Sequence, residues 1–127
     1  AEAGEKDAWY HIGHLYESKK QYKLSLEAYK QVWLTVDDER ETTLTEVHAM
    51  YHTALVYEKL ATDTDPVKDW RQARDYWKQA LESCKKAVLG YWDLRMYKNQ
   101  DEATDKLNSM KLVAKKQYPD LFSKEER

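Results

Sequence analysis

A duplication limits most tightly what this chain can fold into. Ala8-Trp9-Tyr10-His11-Ile12-Gly13-His14-Leu15-Tyr16-Glu17 aligns with Ala49-Met50-Tyr51-His52-Thr53-Ala54-Leu55-Val56-Tyr57-Glu58, and five of the ten positions are identical. A second segment is repeated downstream of each copy: Glu27-Ala28-Tyr29-Lys30-Gln31-Val32 matches Asp75-Tyr76-Trp77-Lys78-Gln79-Ala80. Two segments repeated in the same order mean a repeated two-element unit, and such units bury their apolar faces by stacking on their neighbours.

The elements are predicted to be helices. Apolar residues recur every three to four positions, the helical period. The chain has only three Gly and two Pro, too few for the turns of a β-rich domain. The spacing predicts a first helix over about 6–18 with Trp9, Ile12, Gly13 and Tyr16 on its apolar face, and then a polar turn at Lys19-Lys20-Gln21. A second helix carries Tyr22, Leu26, Tyr29, Val32 and Trp33, and Asp37 to Glu41 reads as a linker. Thr43 with Glu46 makes a capping box for a third helix carrying Val47, Met50, Ala54, Tyr57 and Leu60. Asp65-Pro66 opens a fourth, with Trp70, Ala73, Trp77, Ala80 and Leu81. A fifth is expected through Cys84, Ala87, Tyr91 and Leu94 to about Lys98, separate from the fourth or fused to it, since no strong breaker stands between them. Asn99 with Glu102 is expected to start a sixth, with Ala103, Leu107, Met110 and Val113.

These residues resemble the tetratricopeptide repeat, whose signature is Trp-x-x-Leu-Gly-x-x-Tyr followed by Ala-x-x-x-Phe-x-x-Ala. The first copy supplies Trp9, Ile12, Gly13, Tyr16, Ser25, Tyr29 and Val32 at the family spacing; the second supplies Met50, Thr53, Ala54, Tyr57, Ala73, Trp77 and Ala80. In a degenerate third copy, Tyr91 and Tyr97 keep the Tyr10–Tyr16 spacing and Ala103, Leu107 and Met110 keep the second-helix pattern, while Gly90 and Leu94 depart from it. The resemblance implies one all-α domain, a right-handed helical array of about three antiparallel pairs. Its repeats would span about 6–36, 44–83 and 86–118, ahead of a loose tail at 119–127. Gly13 and Ala54 fall where the helices of a pair cross closely, and Tyr16, Tyr29, Tyr57 and Trp77 would fill the space between pairs. Helix propensity alone would favour Ala at position 13.

Several functions are set aside by the residues themselves. No Gly-rich phosphate loop, HExxH or GxSxG is present, so no enzyme and no cofactor are expected. The net charge of −2 and the absence of clustered bases around the aromatics argue against nucleic acid. No apolar run reaches membrane-spanning length, so no membrane insertion is expected. Cys84 stands alone, which excludes an internal disulfide, and its helical spacing predicts burial. His11/His14 and His48/His52 have spacings that metal ligands use, but His11 and His52 are repeat-equivalent and a shared packing role accounts for them without a metal. Ala1 in place of Met is expected to reflect processing or excision. The compartment stays open between the cytoplasm, slightly favoured, and a bacterial envelope if a signal segment was removed.

The resemblance implies a protein–protein interaction module, an adaptor or scaffold whose partner is another protein or peptide; the alternative is a structural module that self-associates as a homo-oligomer. In the family the first helices of the pairs line the concave surface. Carried over, that surface holds Asp7, Tyr10, His14, Glu17, His48, Tyr51, Leu55, Glu58, Tyr91, Arg95 and Lys98, with Tyr10, Tyr51 and Tyr91 as a ladder of rings. Acidic flanks at Asp7, Glu17 and Glu58 and basic ones at Arg95 and Lys98 would suit a ligand of opposite gradient. The subtype that grips a C-terminal carboxylate does so with Lys, Asn and Arg. The corresponding places here hold Tyr10, His14, Tyr51 and His52, so that mode is not expected.

Overall fold

The helical period is realised throughout the computed structural model, which describes residues 3–33 and 42–126. Five helices follow one another: α1 Ala3–Ser18, α2 Tyr22–Trp33, α3 Leu44–Asp63, α4 Trp70–Asp93 and α5 Tyr97–Gln117, with a short 3-10 turn at Pro119–Leu121 and no strand among the described residues. The linker expected at Asp37–Glu41 lies outside the described residues.

The α1–α2 turn falls where the polar Lys19-Lys20-Gln21 predicts it. Gln21 N–H donates to the Tyr16 carbonyl (2.9 Å) and Lys20 N–H to that of Glu17 (3.0 Å), with Lys20 at φ 61°. That is a Schellman stop with a lysine in the left-handed position usually given to glycine. At the start of α3, Thr43 accepts from Glu46 N–H (3.3 Å), as the capping pattern predicts. Asp65 accepts from Val67 and Lys68 N–H, but it closes a turn, and α4 itself begins at Trp70.

The third pair differs from expectation. No turn interrupts residues 83–87: α4 runs unbroken for 24 residues. Ala73, Trp77, Ala80, Cys84, Ala87 and Tyr91 form one buried stripe at three- and four-residue steps, so the apolar register never breaks and the helix has no reason to end. A second Schellman turn ends it, with Arg95 at φ 59° and Met96 N–H donating to the Tyr91 carbonyl (2.8 Å). That tight turn lets α5 begin at Tyr97, so the Asn99–Glu102 pair lies inside the helix and does not start it. α5 then returns along α4: Leu107, Met110 and Ala114 join Trp77, Ala80 and Cys84 in one cluster with Ala54 and Ala61 of α3. Cys84 is buried as expected, its Sγ 3.4 Å from the Ala103 carbonyl, and burial ahead of Glu58 pushes its thiol up to about 12.

The segment expected to be loose from residue 119 onward is partly docked. Tyr118 and Phe122 are buried in the α3–α4–α5 core, and Arg74 donates twice to Asp120 Oδ2 (2.9 and 2.6 Å). Four residues placed on core faces by periodicity alone are exposed instead: Trp9 (41%), Ile12 (38%), Trp70 and Val113. On α1 the face turned inward is Lys6, Tyr10, Gly13 and Glu17. Gly13 sits against Tyr29 so closely that an added Cβ would lie 2.6 Å from two ring carbons.

Candidate protein-binding surface

The α1–α2 hairpin joins the rest of the chain by packing both α2 and α1 on α3. Lys6 Nζ donates to Glu46 Oε1 at 3.0 Å, with both residues buried. Lys6 is repeat-equivalent to Val47, so the charge replaces an apolar core residue. The sequence signal for it was a lysine sharing one helix face with Tyr10, Gly13 and Glu17, which calls for a partner.

One turn further along, six of the eleven expected surface residues come together. Tyr10 stacks on His48 (centroids 6.2 Å apart, planes at 27°) and meets His52 edge-on at 5.8 Å. His14 meets His52 edge-on at 5.3 Å, and Tyr51 closes the group against His52 (6.1 Å) and Tyr91 (6.2 Å). Glu17 Oε1 accepts from Tyr29 Oη (2.7 Å) and lies 3.1 Å from His52 Nδ1. His52, absent from the expected set, is thus the hub. Its repeat equivalent His11 is exposed and touches only Tyr10 among the described rings. The equivalence fails because α3 has α1 packed beside it, whereas no described helix covers the matching face of α1.

The ladder of three tyrosines loses its third rung. Tyr91 is 1% exposed, so it forms the wall behind the patch and offers no ring to a ligand. It stays in the core because α4 runs straight through the expected break, keeping position 91 on the buried stripe. The other expected residues lie apart from the rings. Asp7 accepts from Thr45 Oγ1 (2.7 Å), Glu58 pairs with Lys106 (2.7 Å), and Arg95 occupies the left-handed turn after α4. Leu55 is half-buried, Lys98 is exposed, and no described contact ties either to the cluster.

The chemistry of the patch follows from its burial. Burial raises the Glu17 carboxyl, but hydrogen bonds from His52 and Tyr29 outweigh it and hold the group below the usual carboxylate range. Burial, then His52, pushes the imidazolium of His48 below the ordinary histidine range, and its Nδ1 lies 2.6 Å from Tyr91 Oη. Burial, then Glu102, pushes the Tyr51 phenol up to about 12, so it stays a neutral hydroxyl at any physiological pH. Among the described residues no three His, Cys, Asp or Glu side chains are grouped to hold a metal ion, and no helix is long and apolar enough to cross a membrane.

A sizeable concavity lies elsewhere. A groove of about 570 Å³ runs between α2 and α4 over α3, floored by Leu26, Tyr57, Leu60 and Tyr76 and edged by Lys30 and Asp75. None of the eleven expected residues lines it. Comparison of the chain with models of known protein families, with curated proteins and with solved structures finds no match.

Proposed function

We propose that this chain is a tetratricopeptide-type interaction module that binds a segment of another protein across the α1/α3 face. Support for the repeat architecture comes from the packing order. α1 packs on α2, and α3 packs on both α2 and α1 as the first helix of a following pair would; α4 then packs on α3. In this reading the array is right-handed, with the first helix of the third pair absorbed into α4.

The observation that carries the function is the ring patch itself. Tyr10, Tyr51, His48 and His52 are each half-buried, and His14 is exposed beside them. Two helices thus hold five rings in place while leaving part of each to solvent. Such rings offer contact area and hydrogen bonding at low cost in side-chain entropy, because packing has already ordered them. The reading assigns no catalytic step and no cofactor. The acidic flank survives at Asp7 and Glu17, so the ligand is expected to carry basic residues at that end.

Selection of displayed peptides on the immobilised chain tests this, with each recovered peptide then titrated against variants. Tyr10→Ala and Tyr51→Ala are expected to weaken binding by about 1 kcal/mol or more each while the helical circular dichroism stays unchanged. Peptides that bind the folded double variant as tightly as the wild type would refute the α1/α3 face. If Tyr76→Ala weakened those same peptides, the groove between α2 and α4 would take its place. A second reading, self-association, is favoured by the outer face of α1.

A further inference from the structure

Trp9, Ile12 and Leu15 are exposed large apolar residues on one helix, at 41%, 38% and 55%, and Tyr16 beside them is half-buried. They occupy the face of α1 opposite the ring patch. The duplication shows what such a face takes as cover. Ile12 and Leu15 correspond to Thr53 and Val56 on α3, and there α2 covers them: Val56 is fully buried in one cluster with Tyr29 and Val32 of α2. Thr53 is only 4% exposed, and with Met50, Trp33 of α2 and Ser83 and Lys86 of α4 it lines a cavity of only about 50 Å³. The matching Ile12 and Leu15 of α1 stay exposed.

We propose that this face pairs with the same face of a second copy of the chain, the two α1 helices running antiparallel about Ile12. The order of residues along the stripe argues for a second copy in preference to an unrelated helix. Ile12 lies midway between Glu5 and Lys19, seven residues from each, and 100° per residue puts all three on this face. A two-fold axis at Ile12 sets Trp9 against Leu15 of the partner copy, the small Ala8 against its bulky Tyr16, and Glu5 against its Lys19. Size and charge are both complementary in that one arrangement, as an isologous contact requires. Glu5 and Lys19 are exposed, and neither is in an ion pair among the described residues. Lys19 follows the end of α1 but keeps the helical course, its N–H donating to the Leu15 carbonyl at 3.2 Å. A single helix face is smaller than the roughly 800 Å² per partner of a standard interface, so the dimer dissociates on dilution.

The test is mass in solution against concentration, by sedimentation equilibrium of the whole chain. The wild type is expected to rise from 15.2 kDa towards twice that value. Ile12→Glu is expected to stay at the monomer mass with an unchanged helical spectrum, since the side chain it replaces is exposed. Glu5→Lys and Lys19→Glu each place two like-charged pairs across the axis and are expected to weaken association about fivefold. The double swap Glu5→Lys/Lys19→Glu is expected to restore it. A wild type that stays at 15.2 kDa throughout, an Ile12→Glu variant that still dimerises, or a double swap as weak as the single ones would each overturn the proposal. Peptide binding on the ring patch is read separately, because Ile12→Glu leaves Tyr10 and Tyr51 in place.

Discussion

Replacing Gly13 by Ala sets two well-defined effects against each other. Position 13 is inside α1, where Ala is favoured over Gly by about 1 kcal/mol. An Ala Cβ would however lie 2.6 Å from both Cδ1 and Cε1 of Tyr29 and 3.0 Å from Cγ. Tyr29 has little room to yield. It is fully buried, its hydroxyl is held by Glu17 at 2.7 Å, and the rings of Tyr10 and His52 lie 5.9 and 5.8 Å from it. Overpacking of this kind costs about 1–3 kcal/mol, so it should exceed the propensity gain and leave a net loss of about 1 kcal/mol. For a chain of this size that lowers Tm by about 4 °C. Urea and thermal unfolding followed by circular dichroism would measure it. Gly4→Ala isolates the propensity effect, because nothing lies within 4 Å of a Cβ built there. Gly13→Leu should lose about 3 kcal/mol. A Gly13→Ala protein at least as stable as wild type would show that Tyr29 moves freely, and the close α1–α2 crossing would be wrong.

Three other perturbations probe the same framework. Lys6→Met removes the ammonium from the buried Glu46 carboxylate and should cost about 3 kcal/mol in urea unfolding, much of it recovered in Lys6→Met/Glu46→Leu; a neutral single substitution would mean that the pair is solvated. Phe122→Ala should cost about 3 kcal/mol, because the ring is buried against the α3–α5 core; no change in the unfolding midpoint would mean that the segment after α5 is undocked. His48 titrates below its ordinary value in the folded chain, so between that lowered value and about 6.5 the unfolded chain binds more protons. The stability this contributes is complete above about 6.5 and is lost as pH falls. Melting temperature should therefore drop from pH 7.5 towards pH 5.5, less steeply in His48→Gln, and a wild-type slope matched by the variant would exclude His48 as its source. Glu17, held low by its hydrogen bonds, adds a loss only at more acid pH, below the ordinary carboxylate range.

Local physics was legible in the sequence. The duplicated segments and the three-to-four spacing determined that the chain is helical, that α1 and α2 form a hairpin with its turn at Lys19–Gln21, that Thr43 caps α3, and that Gly13 marks a close crossing. Each depends on residues a few positions apart or on a repeated pattern. Most of the ring patch was legible as well, since Tyr10, His14, Glu17, His48 and Tyr51 share the faces of two equivalent helices. Tertiary structure decided what periodicity leaves symmetric. A helical stripe states that a face wants cover without naming the neighbour, so Trp9 and Ile12 resemble Met50 and Thr53 in sequence and differ in exposure. The unbroken stripe from Ala73 to Tyr91 was compatible with one helix or two. The structure makes it one, with α5 packed back along it, and that buried Tyr91 and moved Arg95 into a turn. Lys6 meeting Glu46 across 40 residues, and Phe122 closing the core, are long-range contacts that no local pattern encodes.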